Sequence, residues 1–265
     1  MTHAVPTAEF ASLVYGAGGV ALDDPAEAFH EASRLYPDVA PGRLPALIEL
    51  ARSRELQQTV ARSSRRHDHR TGVDLPRARL GRARLETTLA RRRSTAPAEP
   101  AVLSLEQLST VLAVSYRSSA GRRPVPSGGA LYPLELYAVA LAVDRLEQAS
   151  YHYDPFRHRL ECLSPCSRGA VAGALVDPTL AENASALFVV TAMFWRSRFK
   201  YGLRGYRFAL LEAGHLVQNA VLAATALRVS ALPVGGFYDC RLDQLVGADG
   251  LDEATVYAVL LGARP

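Results

Sequence analysis

Apolar positions along the chain follow two patterns, and the difference predicts most of its elements. From Leu134 to Val143 and from Ala186 to Trp195 they run almost unbroken and mix branched with aromatic residues. Such runs predict strands buried on both faces. Over residues 25–35, 44–61, 80–90 and 103–116 the apolar positions recur with helical spacing instead. Ser104 is a suitable N-cap for the last of these helices, with Glu106 and Gln107 in its first turn. Gly205 to Arg228 predicts the longest helix, apolar nearly all round and therefore buried in a core or a dimer interface. Its polar exceptions Glu212, His215 and Asn219 share one stripe, which is either a hydrogen-bonded seam between helices or a polar lining near a cofactor. Tyr151 to Pro155 and Arg159 to Leu163 predict a hairpin, Ser167 to Leu175 a helix, and Ala254 to Leu261 a closing strand.

Texture changes near residue 80, which predicts two regions: a helical extension over 1–80 and a main domain over 81–265. Within the extension, the charged stretch Arg62 to Leu80 predicts an exposed basic loop. Its Arg65-Arg66-His67-Asp68-His69-Arg70 segment sets two histidines around an aspartate, but three arginines would repel a cation, so no metal site is expected. The chain has 265 residues with 49% apolar content, enough for a full core. Three cysteines, Cys162, Cys166 and Cys240, suit neither a disulfide framework nor a zinc site, and a reducing cytoplasm is the expected location. The apolar runs fall short of the roughly 18 residues of a membrane span, and Met1-Thr2-His3 opens no signal peptide. A net charge of +4 is too small for a nucleic-acid footprint, so no nucleic-acid partner is expected.

Four segments carry candidate chemistry. Arg91-Arg92-Arg93-Ser94 ends a predicted helix and joins forked cationic donors to a hydroxyl, which suits a phosphate monoester as well as it suits a solvated surface. In Pro126-Ser127-Gly128-Gly129-Ala130-Leu131-Tyr132-Pro133, successive small residues would let a flat ring or a phosphate approach the backbone. Pro233-Val234-Gly235-Gly236 has the same character, and its plain alternative is a turn into the last strands. Lys200-Tyr201 lies among Arg196, Arg198, Arg204 and Arg207, where like charge favours a neutral amine that could act as a base, and the plain alternative is an ordinary surface pair. Hydrolase, zincin and P-loop signatures are absent from the sequence.

Taken in order, these pieces resemble the SagB-type flavin-dependent dehydrogenases of the nitroreductase superfamily, the oxidases of azole-forming peptide modification. The likeness runs through Phe29 to Leu35, Leu89 to Ser94, Leu103 to Tyr116, Pro126 to Tyr137, Glu212 to Asn219 and Gly235 to Asp239. It implies an α+β fold with a central antiparallel or mixed sheet flanked by helices, an entwined homodimer around the long helix, and FMN at the dimer interface. By resemblance, Arg92, Arg93 and Ser94 would hold the phosphate. Pro126, Ser127, Gly128 and Gly129 would reach the flavin across the dimer, and Pro233, Val234, Gly235 and Gly236 would line its ring. Lys200 and Tyr201 match the family's catalytic pair. The implied substrate is an azoline-containing precursor peptide, and the implied partner is a cyclodehydratase. One position departs: the second basic residue usual after the serine is Ala96 here, and Arg91 or Arg264 could replace its charge.

Other expectations stay open at this point. One is a flavin oxidase that desaturates another amino-acid or cyclic dipeptide product, another a nitroreductase using NAD(P)H, and a third a redox-inactive scaffold subunit of a peptide-modifying complex.

Overall fold

The structure, a computed structural model, describes residues 24–37, 52–62, 64, 65, 67 and 69–263. Seven strands form one antiparallel sheet: β1 (Gly72–Asp74), β2 (Leu134–Ala140), β3 (Ala149–Asp154), β4 (Arg159–Pro165), β5 (Ala186–Met193), β6 (Ser230–Val234) and β7 (Glu253–Gly262). Their spatial order is β1-β4-β3-β2-β5-β7-β6. The described helices are α1 (Pro25–Ala32), α2 (Arg54–Arg62), α3 (Leu85–Arg91), α4 (Leu105–Tyr116), α5 (Arg168–Ala174), α6 (Trp195–Tyr201), α7 (Arg204–Ala226) and α8 (Asp239–Val246).

Two apolar layers explain why the central strands read as continuous runs. Leu134, Leu136, Ala138 and Ala140 of β2 point to a core shared with α4 and α7, while Tyr137 and Val139 point to a second core beneath α5 and α8. With helices on both faces, every residue of β2 is buried. The expected cap at Ser104 forms in full: its hydroxyl accepts from the Gln107 amide at 3.1 Å, and the Gln107 side chain accepts from the Ser104 amide at 3.1 Å. The hairpin, α5 and the closing strand fall where the pattern predicts them.

The segment expected to be an exposed loop over 62–80 is different, because part of it docks on the sheet. Buried Glu135, Glu161 and Glu253 each sit on a strand and require donors. Ser64 Oγ and the Arg65 amide donate to Glu135 at 3.0 and 3.1 Å, the His67 amide donates to Glu161 at 3.3 Å, and Arg65 Nε pairs with Glu253 at 2.9 Å. Gly72–Asp74 then joins the sheet edge as β1, in register with Arg159 to Glu161. Residues 44–51 of the second predicted helix lie outside the described residues. α3 begins at Leu85, later than expected, and β6 and α8 occupy stretches where the sequence predicts only a turn and a loop.

Candidate active site

Lys200 and Tyr201 are the last two residues of α6, a single short helix placed directly after β5. Its N-terminal half is held firmly. Arg196 is buried and donates to Glu135 at 2.6 Å, and Ser197 Oγ donates to the Gly205 carbonyl at 2.9 Å. Gly202, at φ +56°, ends the helix in a conformation that favours glycine. The chain then turns into α7 so tightly that a Cβ at Gly205 would stand 2.7 Å from the Ser197 backbone.

The glycine-rich loop meets this helix end within the same chain. Gly129 has φ +64°, and a Cβ built there would lie 2.7 Å from Tyr201 Oη and 3.0 Å from Lys200 Nζ. One at Gly128 would lie 3.1 Å from the Phe208 ring, and that ring packs edge-on against Tyr201 at 5.0 Å. The sequence thus brings both proton-handling groups to the bare face of one glycine. The two segments meet because the loop leads into β2 and α6 leaves β5, and these strands are neighbours, with Leu134 opposite Ala192. The Met193 amide donates to the Pro133 carbonyl at 2.8 Å and closes the junction.

A second group of candidates gathers elsewhere. Arg92, Arg93 and Ser94 follow α3, and the Thr95 amide donates to the Ala231 carbonyl of β6 at 3.0 Å, so this turn lies beside the strand that carries Pro233 and Val234. Gly235 and Gly236 continue from β6 and are exposed, with open space where a Gly235 side chain would be. Among the described residues, no carboxylate pairs with Arg92 or Arg93; Arg92 reaches Ser94 Oγ at 3.4 Å, and Arg93 caps the Ala90 and Arg92 carbonyls. Three strand spacings separate β6 from β2 in the sheet, on the order of 14 Å. Within one chain the two groups are separate. Arg264 lies outside the described residues.

The predicted polar stripe on α7 divides. His215 is exposed, Asn219 Nδ2 donates to the Pro124 carbonyl at 3.1 Å, and Glu212 is buried, accepting from Tyr116 Oη at 3.2 Å. Burial pushes the Glu212 carboxyl up to about 7, against the opposing pull of a Ser127 hydrogen bond and the Arg123 charge.

Sequence reasoning overlooked the buried charge network beneath α6. His152 donates through Nε2 to Glu135 at 3.0 Å and through Nδ1 to Glu161 at 3.1 Å, which makes it an imidazolium. Although burial opposes it, these two carboxylates raise the His152 pKa to about 9. Tyr137 Oη and Thr191 Oγ1 each donate to Glu253 at 2.6 Å. One signal was available: Glu135 is a lone charge in an otherwise apolar strand, and such a position demands a buried partner.

The donors and glycine walls fit a flavin mononucleotide. The Arg92–Ser94 turn offers guanidinium groups that no carboxylate among the described residues neutralises and a hydroxyl suited to a phosphate, and the half-buried Gly128 and exposed Gly129, Gly235 and Gly236 backbones suit a flat ring.

Comparison with known proteins gives the following likenesses. A model described as the nitroreductase family matches residues 89–263. The nitroreductase-type protein MJ1384 of Methanocaldococcus jannaschii is 33% identical over 166 residues, covering 62% of this chain and 84% of that protein. McbC, the microcin B17-processing protein of Escherichia coli, is 32% identical over 168 residues, or 60% of this chain and 61% of McbC. The match thus spans somewhat less than two thirds of McbC. Among solved structures, a chain of the E. coli microcin synthetase McbBCD complex with truncated pro-MccB17 bound superposes with a TM-score of 0.60 at 23% identity. That likeness covers 91% of this chain and 92% of the other, and it speaks for the fold.

Proposed function

The chain belongs to the nitroreductase family, and we propose that it is an FMN-dependent dehydrogenase that oxidises thiazoline or oxazoline rings of a ribosomally made peptide to thiazole or oxazole. The observation that carries this reading is the convergence of Lys200 Nζ and Tyr201 Oη on Gly129, in a chain similar to a protein named for processing a peptide. In this reading Arg92, Arg93 and Ser94 hold the phosphate, and Pro126 to Gly129 and Pro233 to Gly236 line the ring. Arg264 or Arg91 makes good the charge missing at Ala96. Bound FMN supplies the hydride acceptor. Lys200 and Tyr201 receive the proton that leaves the neighbouring ring carbon, so the azoline loses one hydride and one proton and becomes aromatic. The glycine walls orient the ring and exclude water from it.

Two partners follow from the same reading. The first is a second copy of this chain, supported by Leu210 and Leu211, which are 42% and 61% exposed on α7. A cyclodehydratase that makes the azoline is the second, supported by the likeness to a chain of a synthetase complex.

The test is direct. Purified protein carries flavin absorbance and converts a thiazoline peptide to a product lighter by two hydrogens, read by mass spectrometry; a colourless protein that takes up no added FMN defeats the reading. The likeness to MJ1384 favours one second reading, a reductase fed by a nicotinamide. Rapid bleaching of the flavin by NADPH would select it.

A further inference from the structure

Arg123 is buried, at 7% exposure, yet its Nε, Nη1 and Nη2 have no hydrogen-bond acceptor among the described residues. Its guanidinium carbon lies 4.2 Å from the centre of the Tyr116 ring, 4.9 Å from that of Tyr132 and 5.5 Å from that of Phe156. Aromatic faces recover part of the cost of burying a cation, but they leave its N–H edge unsatisfied. Glu212, whose carboxyl feels this charge, already accepts from Tyr116 Oη at 3.2 Å. A buried guanidinium with an empty edge calls for an anion.

The surroundings supply room for one and further positive charge. Arg123 lines a cleft of about 360 Å³ together with Arg54, Gln58 and Arg62 of α2 and with Gly129 and Tyr132. Positions 54, 58 and 62 are four residues apart, so α2 turns one face to the cleft. Strain gathers at the same wall: Ala130 and Tyr132 hold φ +54° and +47°, which non-glycine residues rarely adopt. Gly129 belongs both to this cleft and to the contact with Lys200 and Tyr201.

We propose that the cleft binds a carboxylate of the substrate peptide, set one or two residues from the ring being oxidised. The position follows from the shared glycine, since an extended residue spans roughly 3.5 Å. The carboxylate can be an acidic side chain or a C terminus. This inference rests on the azoline dehydrogenase reading, and its test separates the two.

Three thiazole peptides, which cannot be oxidised further, serve as probes against the FMN-loaded full chain in calorimetric titrations. One ends in a free carboxylate two residues after the ring, one carries Asp there with an amidated end, and one carries Asn with an amidated end. At least one acidic peptide is expected to bind about tenfold tighter than the neutral one. The better of the two identifies the source of the carboxylate. In Arg54→Ala/Arg62→Ala, whose targets are exposed, that preference disappears while FMN affinity is retained. Equal or absent binding of all three peptides overturns the proposal, as does a variant whose loss lies in FMN affinity, which would assign the cleft to the flavin phosphate. Thiazoline versions of the same peptides are assayed in parallel. Oxidation without acid preference sinks only the carboxylate site, and acid preference without oxidation sinks only the dehydrogenase.

Discussion

The two ends of α6 are built on opposite principles. At its start, Arg196 is sealed among Glu135, His152 and the rest of a buried ionic network; at its end, Lys200 and Tyr201 are half exposed against the bare face of Gly129. Charges locked in the interior are costly to disturb and fix position, whereas charges at a wet edge can exchange protons. One seven-residue helix thus carries an anchor and a solvent-facing tip. Its shortness matters, because an anchored first turn leaves only one further turn over which the tip can drift.

Four experiments would break or sharpen that contrast. The largest effect is expected at the tip, where Lys200→Ala and Tyr201→Phe each lower azoline oxidation by about 10²- to 10⁴-fold with flavin content and melting temperature preserved; unaltered turnover in steady-state assays would return both residues to an ordinary surface role. At the anchor the signature inverts. Glu135→Gln leaves the Arg196 charge without its counter-ion and should cost about 3–5 kcal/mol of unfolding free energy in denaturant titrations.

The third experiment reads the same network through pH. The folded pKa of His152, about 9, lies above its ordinary value of 6.5, so its contribution is complete below about pH 6.5 and is lost as pH rises through 9. Glu135 and Glu161 are held below their ordinary 4.5, the stronger effect at Glu135, by the His152 hydrogen bond and, for Glu135, by Arg196, against burial. Their contributions are present above about pH 4.5 and fade on acidification. Stability should therefore be greatest between about pH 4.5 and 6.5 and fall by about 1–3 kcal/mol toward pH 9. The parent protein and His152→Gln must differ in slope over that upper range. The smallest effect belongs to Gly129→Ala. Its methyl would crowd Tyr201 Oη and strain a left-handed backbone, so turnover should drop about tenfold and stability by about 1 kcal/mol. A fully active Gly129→Ala protein would mean that the tip tolerates displacement.

Much of the frame was legible in the sequence because burial on both faces leaves a plain mark. The runs around Leu136 and Val190 and the near-continuous apolar surface of α7 could hardly be anything else. What escaped was long-range pairing. β1 is three residues long and follows a run of charges, so no periodicity betrays it, and the segment that leads into it is held by carboxylates some 70 to 94 positions away. The same holds at the site. Residue types identified Lys200, Tyr201 and the glycine loop as separate pieces, but only the pairing of β2 with β5 brings Gly129 against them. Arg123 and Arg196 lie among many arginines, and nothing in their neighbours reveals that these two are buried.

The close crossing of Gly205 against Ser197 has an evolutionary corollary. Where two helices touch backbone to backbone, not even a methyl group can be added, so the elbow between α6 and α7 offers almost no raw material for divergence. Descendants of this chain that acquire new ligand preferences would have to vary the opposite wall, where α2 and the residues around Arg123 present side chains that can change without moving the elbow.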